Sequence, residues 1–228
     1  NAVLLAAMLT LQMRYWPYLA ASVLLAVFVA DYPFFSGFEA ALLGVVAIGE
    51  CTFTALLLRR LSPDGAPAPD WGEPWSLALF ILVILFIVSP VAAVLGASVY
   101  TFVILDGASF ASFWKIWWLG DATGLIALTP ALHMLFNWKW HLSRAYYRDV
   151  AYSEWVIWLA LALATSYFVF ALDVIPDEFV VLTPLLVLIA PVWAALRLGM
   201  LPTALLAAAV ACYAAVSTAS GRGPFIPG

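Results

Sequence analysis

The chain has 228 residues, of which 66% are hydrophobic and only 10% charged, with a mean hydropathy of +1.06. Soluble domains carry about 25% charge, so this composition excludes one and describes an integral membrane protein. The formal net charge of -4 rests on few groups, and no Lys/Arg run is present to form a nucleic-acid surface.

About 20 mostly apolar residues are needed to cross ~30 Å of hydrocarbon. Charged or Pro/Gly-rich clusters divide the chain into eight apolar runs: Ala2–Met13, Pro17–Phe34, Phe38–Leu58, Trp75–Leu105, Phe110–Phe136, Trp155–Leu172, Phe179–Leu196 and Leu201–Ala219. The expected fold is an all-α, polytopic transmembrane helix bundle of about eight spans, forming one domain over residues 1–228. Pro90, Pro130, Pro184 and Pro191 lie inside apolar stretches, where each removes a backbone hydrogen bond and bends its helix. The segments "IALTPAL" and "VVLTPLL" echo each other, a short match that hints at an internal repeat.

Two longer connections, Arg59–Pro74 and Asn137–Asp149, hold most of the basic side chains. Loops rich in Lys and Arg stay inside, which places both on the cytoplasmic face of a multi-pass protein. The alternate loops around Asp31, Asp106 and Asp173 to Glu178 carry no Lys or Arg. Eight crossings would leave both Asn1 and the closing "GRGPFIPG" on the extracytoplasmic face. Trp114, Trp117 and Trp118, and on the other side Trp138, Trp140, Tyr146 and Tyr147, read as interfacial aromatic belts.

Asp121 lies eleven residues into its run, roughly 16 Å from the boundary at 1.5 Å per residue. A central Asp facing lipid costs about 2.5–3.5 kcal/mol, so its side chain must face the bundle interior, be protonated or have a partner. Glu50, twelve residues into another run descending from the same face, lies at nearly the same depth and is the best candidate partner. Such a pair is either the lining of a pocket for a ligand or proton, or hydrogen-bonding glue that sets helix register. Gly120 and Gly124 bracket Asp121 in a G-x-x-x-G arrangement, which favours close approach of another helix. Arg197, at the end of its run, reads as a guanidinium that snorkels to water or meets an acidic head group.

Cys51 and Cys212 have no CxxC or His neighbour and read as small core residues, so no metal site is expected. His133 and His141 differ too much in depth to ligate a haem between helices, and no cofactor is expected. No Walker A run, nucleophile elbow, H-E-x-x-H or kinase signature occurs, so the chain is not expected to be an enzyme by itself.

Four pieces, in order and over nearly the full length, resemble the bacterial membrane-associated sensor domains of the first MASE type. They are "GECTFTALLLRR", "WWLGDATGLIALTP", "APVWAALRLG" and "GRGPF". The motif positions carried by this resemblance are Glu50, then Trp118, Gly120, Asp121, Gly124 and Pro130, then Trp193, Arg197 and Gly199, and finally Gly221, Gly223, Pro224 and Phe225. Members usually have a further helix before the segment aligned with "NAVLLAAML" and cross once more after G-x-G-P-F, so flanking spans are expected at both ends. The resemblance implies a sensory input domain, in a bacterial inner membrane, that regulates a cytoplasmic histidine kinase or a cyclic di-GMP enzyme. Beyond the lipid bilayer, its expected partners are an unknown small ligand or another membrane protein, and not nucleic acid. The residues leave two other functions open: an accessory subunit docked on a larger membrane complex, and a transporter of a small solute or protons, as broken helices and buried acids occur at transport sites.

Overall fold

The structure, a computed structural model, describes residues 1–31, 34–62, 65–105, 109–137, 150–171 and 186–220. These residues are helical, with no strand among them. They fall into two compact units, Asn1–Phe136 and Asn137–Gly228.

The first unit opens with α1 (Ala2–Thr10) and a single 3-10 turn, Met13–Tyr15. Helix α2 (Trp16–Asp31) follows, then α3 (Gly37–Leu61), which starts at a capping box where Ser36 and Glu39 satisfy each other's backbone N–H. The next span, Pro74–Ile104, is continuous but not uniform. It runs as α4 (Pro74–Leu82), a π-helical turn over Val83–Val88, α5 (Ser89–Val99) and a second π turn, Tyr100–Ile104. Helix α6 (Phe110–Phe136) completes the unit and carries Pro130 within it. The second unit contains α7 (Tyr152–Ala171), α8 (Ile189–Trp193) extended by a π turn over Ala194–Leu198, and α9 (Met200–Ala219).

Six described helices are long and apolar enough to cross a membrane, so the protein is a multi-pass helical membrane bundle. Each apolar run coincides with a helix, but two are shorter than a span. One is Ile189–Leu198, which covers the described part of the seventh run. The other is α1, whose nine residues reach only about 14 Å.

Helix α1 is apolar on every side, and a helix of that kind must be buried. Leu4, Leu5, Ala6, Met8 and Leu9 are almost wholly inaccessible, and α1 packs against α2, α3 and α6. Its last carbonyls are received by Arg59 at the end of α3, whose Nη2 donates to Met8 O at 3.1 Å and Leu11 O at 3.3 Å. The same guanidinium lies over the Trp16 ring, 5.1 Å from its centroid. Arg59, read as part of a basic connection, thus serves as a C-terminal cap for another helix.

The outer surface is as apolar as the interior. Phe102 is 79% and Ile116 69% exposed, and a surface of such side chains is stable only against lipid. Cys51 is buried as expected, whereas Cys212 is exposed on α9 rather than in a core.

Helices α5 and α6 meet at Gly96. A Cβ there would lie 2.7 Å from the Trp117 ring, so only glycine lets the indole lie flat on α5. Gly96→Val should force the ring aside and lower the unfolding free energy in lipid nanodiscs by about 1–3 kcal/mol, measured by denaturant titration. An unchanged transition would show that the ring has room to move.

Candidate functional site

The polar residues of the first unit converge midway along its helices. Glu50 sits near the middle of α3 and is 4% exposed; Asp121 sits near the middle of α6 and is half-buried. Between them lies Asn1, the residue that begins α1. Its side-chain amide donates to Glu50 Oε2 at 3.0 Å and to Asp121 Oδ1 at 2.9 Å. Ser89, at the end of the first π turn, donates its hydroxyl to Glu50 Oε1 at 2.8 Å. The two carboxyl groups also interact directly, and Trp117, one turn before Asp121, interacts with the Asp121 carboxyl.

The expected pairing of Glu50 with Asp121 at one level is thus the observed geometry. The expected position of Asn1 is not: it lies level with the two acids rather than at the extracytoplasmic end. Asn1 and Ser89 went unnoticed in the sequence because neither is unusual by itself. They become visible only when four segments are brought to one depth.

The cluster is held by a ring of secondary contacts. Cys51 Sγ donates to Asn1 O at 3.4 Å, and Thr54 Oγ1 donates to Glu50 O at 2.7 Å. On α6, Trp118 Nε1 donates to Leu85 O at 2.7 Å and Trp114 Nε1 to Pro90 O at 3.1 Å. These two indoles, read as belt residues, are used against the backbone of the neighbouring span instead.

Gly120 and Gly124 lie beside Asp121, yet a Cβ added at either would meet nothing within 4 Å. The expected close helix crossing on this face is therefore not made by the described residues. Pro130 is buried in α6 behind Thr129, two turns beyond the cluster.

At the far end of the unit, Trp71 from the connection between α3 and α4 is 4% exposed. Its Nε1 donates to His133 Nδ1 at 3.0 Å, and its ring meets Phe80 edge-on. A residue read as part of an exposed loop is a plug in the bundle end, fixing His133 in the tautomer with the proton on Nε2.

In the second unit, Arg197 makes a bidentate ion pair with Glu154: Nε to Oε1 at 2.7 Å and Nη2 to Oε2 at 3.0 Å. Arg197 remains largely exposed, and the partner its guanidinium meets is Glu154 of α7 rather than an acidic head group. Trp193 precedes it by one turn and is half-exposed. Trp158 Nε1 donates to Ala190 O at 3.0 Å, which ties α7 to α8 beside Pro191. Gly199 ends this π turn at φ 91°, a left-handed conformation that favours glycine. Gly221, Gly223, Pro224 and Phe225, as well as Pro184, His141 and the residues of Asn137–Asp149 beyond Asn137, lie largely outside the described residues.

Among the described residues no three His, Cys, Asp or Glu side chains come together as a metal site. The apolar exterior, the six spans and the paired acids agree with a match of the MASE1 family model to residues 1–227. The chain belongs to the MASE1 family. MASE1 domains are membrane-associated sensory domains, and the match places one over nearly the whole of this chain. No curated protein and no solved structure matches it.

The hydrogen bonds of this MASE1 domain give the cluster a testable order of importance. Glu50→Ala leaves the Ser89 hydroxyl and one Asn1 donor without their acceptor, which costs about 1–3 kcal/mol. Glu50→Gln keeps the shape and one acceptor, and should cost less. Thermal unfolding of both variants in nanodiscs checks the ranking; equal melting temperatures would mean the acceptors are replaced by water.

Proposed function

We propose that this MASE1 domain senses its stimulus at the Glu50–Asn1–Asp121 cluster and passes the response to a cytoplasmic output module, a histidine kinase or an enzyme of cyclic di-GMP turnover. The observation that carries this reading is the bridging of α1, α3, α5 and α6 by one set of hydrogen bonds at mid-span. A ligand, a proton or a membrane partner that changes the charge or occupancy of either acid alters the packing of all four helices together. A coupling of 1–3 kcal/mol is enough for signalling, and the loss of one charge-assisted hydrogen bond is of that order.

The residues assigned to this role are Glu50 and Asp121, with Trp118 and Ser89 supporting them. Gly120 and Gly124 keep one side of Asp121 open for an approaching group. Pro130, Trp193 and Arg197 are motif positions assigned to transmission rather than to the stimulus. The basic connections Arg59–Pro74 and Asn137–Asp149 are assigned to the cytoplasmic face of a bacterial inner membrane, the side on which an output module works.

Asp121→Asn in the full-length parent protein should change output activity, read as kinase autophosphorylation or cyclic di-GMP formation, by several-fold while the protein still folds and inserts. Unchanged output in a folded protein would reduce the pair to structural glue.

A further inference from the structure

The first π turn is placed where it would serve as a register switch. In its present register the Ser89 N–H bonds Ile84 O, five residues back. By the same spacing Leu85 O would be received by residue 90, but Pro90 has no N–H. That orphaned carbonyl is the one to which Trp118 Nε1 donates, at 2.7 Å. An α register would give Leu85 O to the Ser89 N–H and leave Phe86 O orphaned at Pro90 instead, with the proline ring against it. Each register therefore orphans one carbonyl, and Trp118 supplies a donor in only one of them.

Both acids are tied to this turn. Ser89, which closes it, donates to Glu50. Trp118 precedes Asp121 by three residues on α6, on the same side of the helix. Anything that displaces α6 at Asp121, or withdraws Glu50 from Ser89, acts on one of the two contacts that hold the turn. π turns inside α-helices frequently occur at functional sites, and conformational coupling needs an element with two discrete arrangements.

We propose that the Val83–Val88 turn is that element: it exists in a π register held by the Trp118 indole and an α register reached when that hydrogen bond is lost. The two differ by one residue, which rotates α4 relative to α5 by about 100°. The assignment of Glu50 and Asp121 as its input rests on the function proposed above; the existence of two registers does not.

Spin labels at Leu82→Cys and Ile116→Cys, both exposed positions, in a Cys212→Ala background in nanodiscs, report the rotation of α4 as an inter-label distance. Trp118→Phe removes the donor and keeps a ring, and should add a second distance population. Pro90→Ala supplies an N–H in either register and removes the ring clash that opposes only the α register, so the α register, the commoner geometry, should become the main population. The same single distance in the parent, in Trp118→Phe and in Pro90→Ala, with all three monodisperse and helical, would overturn the proposal. A second population in these variants but none in Glu50→Gln or Asp121→Asn would uphold the switch and remove the acids as its input.

Discussion

A carboxyl group in the middle of a helix bundle within a membrane must find hydrogen-bond donors inside the protein, because neither lipid nor apolar side chains supply any. In this chain the donors include Asn1, Ser89 and Trp117, and their positions set the arrangement of four segments. The Asn1 amide has two N–H groups, and each is given to a different acid. That requirement places Asn1 level with the middle of α3 and α6, and the residues of α1 that follow are buried. Arg59 donates to the last carbonyls of α1, so the described helix is held by polar contacts at Asn1 and at its C-terminus and along its length by packing.

The same accounting of backbone groups explains the tryptophans. Prolines and π turns leave carbonyls without their usual partners, and in lipid each such carbonyl is costly. Trp118 donates to such a carbonyl, Leu85 O, whereas Trp158 and Trp114 add a donor to Ala190 O, which the Ala194 N–H already reaches, and to Pro90 O. An indole suits this use because it carries one donor on a large apolar body, so it repairs the backbone without adding a new unsatisfied group.

The helices were legible in the sequence because their signal is length and apolarity, and the pairing of Glu50 with Asp121 was legible because depth along a helix follows from counting residues. What counting could not supply was azimuth. Gly120 and Gly124 were expected to face another helix and instead face open space, since the G-x-x-x-G spacing defines a stripe but not which side of the bundle it occupies. Arg197 was placed correctly at a helix end, but its partner, Glu154, is 43 residues away in sequence and carries no local mark. Trp71 was hidden by its surroundings, because Asp, Gly and Pro around it describe a loop whether or not one residue of that loop turns inward. The π turns were hidden for a related reason: a one-residue register change leaves the apolar pattern of a fully apolar segment unaltered.

The polar cluster is a poor way to stabilise a bundle, and this bears on why it is there. Buried charged or polar sets replaced by well-packed apolar residues are often neutral or stabilising, and in membranes interhelical hydrogen bonds contribute only about 0.6 kcal/mol on average. Packing around Leu5, Phe80 and Leu125, all fully buried, would hold the first unit together without it. What an apolar core lacks is a group whose state is changed by a single proton, ion or hydrogen-bonding ligand. The cluster adds that sensitivity at the one depth where α1, α3, α5 and α6 all contribute, so a change in any one of its bonds is felt by each of them. A sensory domain needs its stability to depend on such a local event, and a core built of leucine alone would be indifferent to it.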